Sequence, residues 1–171
     1  QGGGGVFAER PQQPRLGVSG FVSALVSGDF DGDGDLDLVV GQRFAEDQIL
    51  LNDGTGRCTI ASAGSTPPGS SLATTAIVAG DFDRRGGMDL LVFAANASPR
   101  LLFSAVGGSF FDISSRLPTP AQLVRLTGLA ADFDGDGDDG LALLGTRLTP
   151  TLVLWNPGNG DFAASTALTY A

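Results

Sequence analysis

The sequence contains no histidine and no lysine, and it has one residue each of cysteine, methionine, tryptophan and tyrosine. Without histidine there is no imidazole base, no Ser-His-Asp triad and no histidine ligand for zinc. The single thiol, Cys58, can form neither an internal disulfide nor a multi-thiolate metal site, so it does not report a redox compartment. No apolar run approaches the roughly 18 residues of a membrane helix, and the N-terminus shows no charged-then-apolar leader, so membrane insertion is not expected. Positive charge is scarce as well. Ten arginines face 19 acidic residues, a net charge of -9, the wrong sign for holding nucleic acid or anionic lipid. What the 171 residues have in abundance is turn formers, 26 Gly and 9 Pro, and no segment shows a helix-length amphipathic pattern.

The chain repeats itself. GDFDGDGDLDLVV from Gly28, GDFDRRGGMDLLV from Gly80 and ADFDGDGDDGLAL from Ala131 align, with Asp29, Asp81 and Asp132 spaced 52 and then 51 residues apart. Each is followed by a second shared segment, QILLNDGTGRCTIAS, RLLFSAVGGSFFDIS and TLVLWNPGNGDFAAS. The opening GGGVFAER matches only the end of a unit, with Phe7 where Cys58, Phe110 and Phe162 stand.

Within a unit the apolar runs are four to six residues long, as in Val22 to Val26, Leu36 to Val40, Gln48 to Leu51 and Cys58 to Ala61, and Gly, Asp and Asn clusters bound them. That is the pattern of strands joined by turns. Four strands in a unit of about 50 residues is the signature of a propeller blade. The expected fold is all-β: three four-stranded β-propeller blades plus one extra N-terminal strand, an incomplete ring within one chain. The boundaries are 1–20 for an outer strand of a preceding or partner blade with its linker, 21–63 for blade 1, 73–115 for blade 2 and 123–166 for blade 3. Phe30, Phe82 and Phe133 are expected to pack between blades. The Ser/Thr/Pro-rich stretches from Ala63 and Ser114 are expected to be exposed connections, and the Asn96-Ala97-Ser98 sequon, followed by Pro99, is not expected to be modified.

These units resemble FG-GAP/VCBS repeats, the blades of integrin α-subunit-type β-propellers and of many secreted bacterial proteins. The hallmark of that family is a DxDxDGxxD loop between the first two strands of a blade. Asp29-Phe30-Asp31-Gly32-Asp33-Gly34-Asp35-Leu36-Asp37 fits it at every required position. The spacing also has a physical reading. Alternate carboxylates at positions 1, 3 and 5 curl around one centre, Gly at position 6 allows a positive φ, position 7 offers its carbonyl, and position 9 closes the shell. Hard oxygen donors alone select calcium over zinc or copper. Left without a cation, carboxylates about 4 Å apart repel by roughly 4 kcal/mol per pair at an effective dielectric near 20, so such a loop needs a cation, a proton or disorder.

The expected metal ligands are therefore Asp29, Asp31, Asp33, Asp35 and Asp37 in the first loop. The second loop keeps Asp81, Asp83 and Asp89 but has Arg85 at position 5, so no calcium is expected there, and Arg84 or Arg85 can pair with those carboxylates instead. The third has Asp132, Asp134, Asp136 and the carbonyl of Asp138. Its position 9 is Gly140, with a spare carboxylate at Asp139, so weaker calcium binding is expected. Thirteen of the 19 acids lie in these loops with Arg84 and Arg85, which leaves six acids and eight arginines elsewhere. The acidity is local to the loops.

No catalytic constellation is apparent, and the chain is not expected to be an enzyme. Cys58 replaces a Phe of the other units and reads as a buried small apolar residue; Trp155 and Tyr170 could stack on a sugar, although Trp155 aligns with strand-end positions. The expected function is a secreted, calcium-stabilised β-propeller module acting as a structural or adhesive interaction unit, extracellular or at the cell surface. It would bind a protein or glycan ligand and assemble as a homo-oligomer or with further blades of the same polypeptide. A carbohydrate-binding propeller, or an accessory segment of a larger extracellular enzyme, is the alternative.

Overall fold

A computed structural model of the chain describes residues 20–61, 73–95, 97–105, 108–118, 127–144, 151–164 and 168–170. These residues form three antiparallel sheets of four strands each, in which every strand pairs with its neighbours in sequence. The first sheet comprises β1 (Phe21–Gly28), β2 (Asp37–Arg43), β3 (Gln48–Asn52) and β4 (Cys58–Ile60). The second comprises β5 (Thr74–Gly80), β6 (Asp89–Ala94), β7 (Arg100–Ala105) and β8 (Ser109–Asp112). The third comprises β9 (Thr127–Ala131), β10 (Gly140–Leu144), β11 (Thr151–Leu154) and β12 (Leu168–Tyr170). Among the described residues the only helical pieces are single 3-10 turns, Ser114–Arg116 and Phe162–Ala164. No helix among them is long and apolar enough to cross a membrane.

The registers show that the sheets are copies of one unit. Gly28 faces Asp37, Gly80 faces Asp89, and Ala131 faces Gly140, so each acidic loop joins the first strand to the second at the same point. A one-residue shift interrupts the first pairing between Val22 and Ala24 and again between Thr74 and Ala76. The last strand of the third sheet lies beyond residue 166, and Phe162 sits in the turn before it. The expected N-terminal strand around Phe7, and Asn96, lie outside the described residues.

Alternation along the strands gives each sheet two apolar faces, which the three-layer stack buries between neighbours. Strand β5 lies against both β1 and β9, so the first strands of the units are side by side. Between the first and second sheets lie Phe30, Val39, Ile49, Leu90, Leu102 and Phe110; between the second and third lie Phe82, Leu91, Leu101, Leu141, Leu154 and Phe162. Phe30 and Phe82 are thus buried between sheets, whereas Phe133 is 41 % exposed, because among the described residues no sheet covers that face of the third. Cys58 is half-buried and not part of either core, unlike its counterpart Phe110, since among the described residues no sheet covers that face of the first. The stretch from Ser114 departs from an exposed connection as well. Leu117 is buried in the second core, and Arg116 donates through NH1 to the carbonyl of Asn159 at 2.6 Å. At the other end of the first joint, buried Asp47 accepts from Gln42 N at 2.8 Å and from Thr74 Oγ1 at 2.7 Å.

Candidate metal centres in the acidic loops

The three loops share one backbone. Positions 4 and 6 are both left-handed in each, with φ of 85° and 92° at Gly32 and Gly34, 60° and 77° at Arg84 and Gly86, and 79° and 90° at Gly135 and Gly137. Glycine at position 6 is the expected use of its freedom; the requirement at position 4 shows only in the structure. The position-1 carboxylate holds this shape. Asp29 accepts from Gly32 N at 2.7 Å and Gly34 N at 3.0 Å, and Asp132 accepts from Gly135 N at 2.7 Å and Gly137 N at 3.0 Å. Asp81 instead accepts from positions 5 and 6, Arg85 N at 3.2 Å and Gly86 N at 2.9 Å.

Position 9 has a second structural task. Asp37 is fully buried and accepts from Phe30 N at 2.9 Å and from Asn52 N at 2.8 Å, tying the loop to the end of β3. Asp89 repeats this with Phe82 N at 2.9 Å and Ser104 N at 2.8 Å. Burial, followed by the charges of Asp83 and Asp81, outweighs these hydrogen bonds and pushes the Asp89 carboxyl up to about 7.

In the first loop Asp29, Asp31 and Asp37 each bring a carboxylate oxygen within 4.8 Å of the others. Three hard oxygen donors so arranged suit calcium. The group also lacks compensating charge: burial and then the Asp37 carboxylate raise Asp31 above the ordinary carboxylate value. The structure does not bring Asp33 and Asp35 into this group. Asp33 accepts from Asp35 N at 2.9 Å, and the Asp35 carboxylate lies against Gly54 of the β3–β4 turn, where a Cβ would stand 2.5 Å from Oδ2.

The second loop brings Asp81, Asp83 and Asp89 together in the same way. The two arginines divide their work. Arg85 is exposed and pairs with Asp83 Oδ2 through Nε at 3.3 Å, as anticipated, while Arg84 leaves its own loop altogether. Its guanidinium pairs with Asp138 of the third loop through Nε and donates to the carbonyl of Asp136 at 2.5 Å.

In the third loop Asp132, Asp134 and Asp136 converge, all exposed. Asp134 is raised, by desolvation first and the Asp136 charge next, and Asp132 is lowered by the N–H of Gly135. Asp138 directs its carboxylate to Arg84 and not into this group. The spare carboxylate, Asp139, turns away to accept from Asp81 N of the second loop at 3.0 Å. With Gly140 at position 9, the third group lacks the buried carboxylate of the other two.

Beside the first and second loops lies a cleft of about 860 Å³, bordered by Asp31, Arg85, Phe103, Phe111, Arg116 and Asn159. Phe111 is 64 % exposed there, and sequence inspection did not single it out; its doubling with Phe110 at a strand that needs one inward phenylalanine was the available signal.

The fold and loops agree with the comparison of the chain to known families. Residues 29–92, from the first acidic loop into β6, match the model of the FG-GAP-like repeat. No curated protein matches the chain significantly. Residues 29–92 are thus similar to an FG-GAP-like repeat, and the third sheet repeats the same β-meander and acidic loop beyond that match.

Proposed function

We propose that the chain is part of a secreted or cell-surface β-propeller in which calcium stiffens the acidic loops and the assembled blades present a binding surface to another protein. The observation that carries this reading is the convergence of Asp29, Asp31 and Asp37 on a loop already shaped by its own hydrogen bonds. Calcium there would supply the positive charge that Asp31 lacks, with Asp29, Asp31 and Asp37 as its holders. In the second loop Arg85 gives part of that charge to Asp83, and in the third Arg84 gives part of it to Asp136, at 3.6 Å, so the need for a metal is greatest in the first loop. Sites of this kind in millimolar calcium belong outside cells. Of the charged residues lining the cleft, Arg85 is paired with Asp83 and Arg116 is held by the carbonyl of Asn159, which favours a binding module over an enzyme.

Calcium titration by calorimetry tests the reading. The parent chain should bind calcium in preference to magnesium, and Asp31→Asn should lose the tightest site; a parent that takes up no calcium overturns it. A carbohydrate ligand is the second reading, favoured by the open ring of Phe111 at the cleft. A glycan-array signal lost in Phe111→Ala would support it.

A further inference from the structure

The two joints between sheets are built alike. In each, the residue before position 1 of the loop is a glycine covered by position 8 of the following sheet. A Cβ on Gly28 would stand 2.8 Å from Met88 Cγ, and one on Gly80 would stand 2.9 Å from Asp139 Oδ2. The phenylalanine at position 2 then meets a phenylalanine of the following sheet, Phe30 with Phe110 at 6.3 Å and Phe82 with Phe162 at 5.6 Å between ring centres. In the second joint Asn156 Nδ2 also donates across, to the carbonyl of Phe82 at 2.8 Å. Every sheet therefore has a front, carrying its own position-2 phenylalanine, and a back, carrying position 8.

The described part of the chain leaves one front and one back uncovered. On the front of the third sheet Leu129, Phe133 and Leu144 are 51 %, 41 % and 53 % exposed, where their counterparts Val78, Phe82 and Phe93 are buried. On the back of the first sheet Leu25 and Leu36 are 59 % and 66 % exposed, at the positions held in the second sheet by buried Ile77 and half-buried Met88. Asn52 stands where Asn156 stands, and its Nδ2 makes the equivalent bond within its own sheet, to the carbonyl of Leu36 at 3.2 Å, as Asn156 does to Asp139 at 3.1 Å. The reach across to a preceding position-2 carbonyl is in place.

We infer that the front of the third sheet receives the back of the first sheet of a second copy of this chain, in a head-to-tail joint that continues the two joints inside it. This rests on the blade reading above and names its partner. Both halves of the joint are present on one chain, and the step that carries the first sheet to the second, and the second to the third, carries the third to a new first. Leu36 would lie over Ala131, whose methyl stands where the internal joints have Gly28 and Gly80, so the exposed Leu36 side chain must turn aside from it; Asn52 would reach the carbonyl of Phe133, and Cys58 would face the Phe133 ring. A joint of unlike faces closes into a ring or runs on as a filament. Two copies supply six sheets, three from each, within the four to eight of closed propellers.

Light scattering on the full chain, with two single variants, tests this. Leu36→Glu removes the back and Phe133→Glu the front, both at exposed positions, and Leu144→Glu serves as a second front variant should Phe133→Glu lose its circular dichroism. The parent should assemble, each variant alone should be monomeric, and a mixture of one back and one front variant should give a one-to-one dimer, because each keeps the face the other lacks. A parent that is monomeric at every concentration overturns the inference, and so does a mixture that stays monomeric or a variant that assembles as the parent does. Calcium-dependent melting that persists in such a case would leave the metal reading standing while the joint falls.

Discussion

Arg84 belongs to the second loop, and its guanidinium is held by Asp138 of the third. It does this from a left-handed backbone, φ 60°, at a position where the other two loops have glycine. A non-glycine residue in that conformation costs about 1 kcal/mol, so the contact it makes across the joint must outweigh the strain.

Replacing Arg84 separates the two effects. Arg84→Ala keeps the strain and leaves the buried Asp138 carboxylate without its cation; it should lose about 1–3 kcal/mol, the guanidinium being half-exposed. Arg84→Gly loses the same pair but also relieves the strain, and urea denaturation should place it about 1 kcal/mol above Arg84→Ala. Equal stability of the two variants would show that the backbone is not strained.

Metal removal should lower the melting temperature. At a hundredfold excess over its Kd, calcium adds about 2.7 kcal/mol, on the order of 5–10 °C for a chain of this length. Asp31→Asn should abolish that response and leave the stability in chelator nearly unchanged. Asp37→Ala should also abolish it, but should be destabilised in chelator too, because Phe30 N and Asn52 N lose their acceptor. Scanning calorimetry with and without chelator distinguishes the two.

The pH dependence has a defined sign. Asp89 is pushed up to about 7, above its unfolded value near 3.9, so the folded chain holds the proton more tightly. The stability this contributes is fully present below about pH 4 and is lost as pH rises towards about 7. Asp89→Asn loses a backbone acceptor at every pH but has no proton to release. Its destabilisation relative to the parent should therefore shrink between about pH 4 and about pH 7, as followed by chemical denaturation; a constant difference would place the Asp89 carboxyl at its ordinary value.

Gly28 should not tolerate a side chain. Its Cβ would stand 2.8 Å from Met88 Cγ and 3.2 Å from the ring of Phe30, so Gly28→Ala should cost about 1–3 kcal/mol by overpacking. Met88→Ala in the same chain should recover part of that loss, and a double-mutant cycle in thermal melts measures the coupling.

The repeat, the strands and the loop ends were legible because each depends on neighbours in sequence. Gly34 and Gly86 at position 6, and Asp29 at position 1, follow from local turn chemistry. Contacts that cross a joint were not legible. Whether Arg84 turns to its own loop or to Asp138, and whether Asp139 stays with the third loop or reaches Asp81 N, depends on how one sheet sits on the next. Spacing likewise gave Asp35 a ligand role through its carbonyl and said nothing of its carboxylate, which settles against Gly54, a contact made only once β3 and β4 have turned. The exposure of Phe133 depends on whether another sheet covers its face, which the repeat pattern around it does not show.

The position-1 aspartate fixes each loop through hydrogen bonds that involve no cation, from positions 4 and 6 in the first and third loops and from positions 5 and 6 in the second. Shape and charge balance in these loops are therefore separate properties. A loop can carry a cation tethered to the chain, as the second does in Arg85, and still join its two strands in the same register. Calcium would then act on how stiffly a blade is held and not on where it points. A chain of such units could hold the same curvature in surroundings rich or poor in the ion, changing only its resistance to being pulled open.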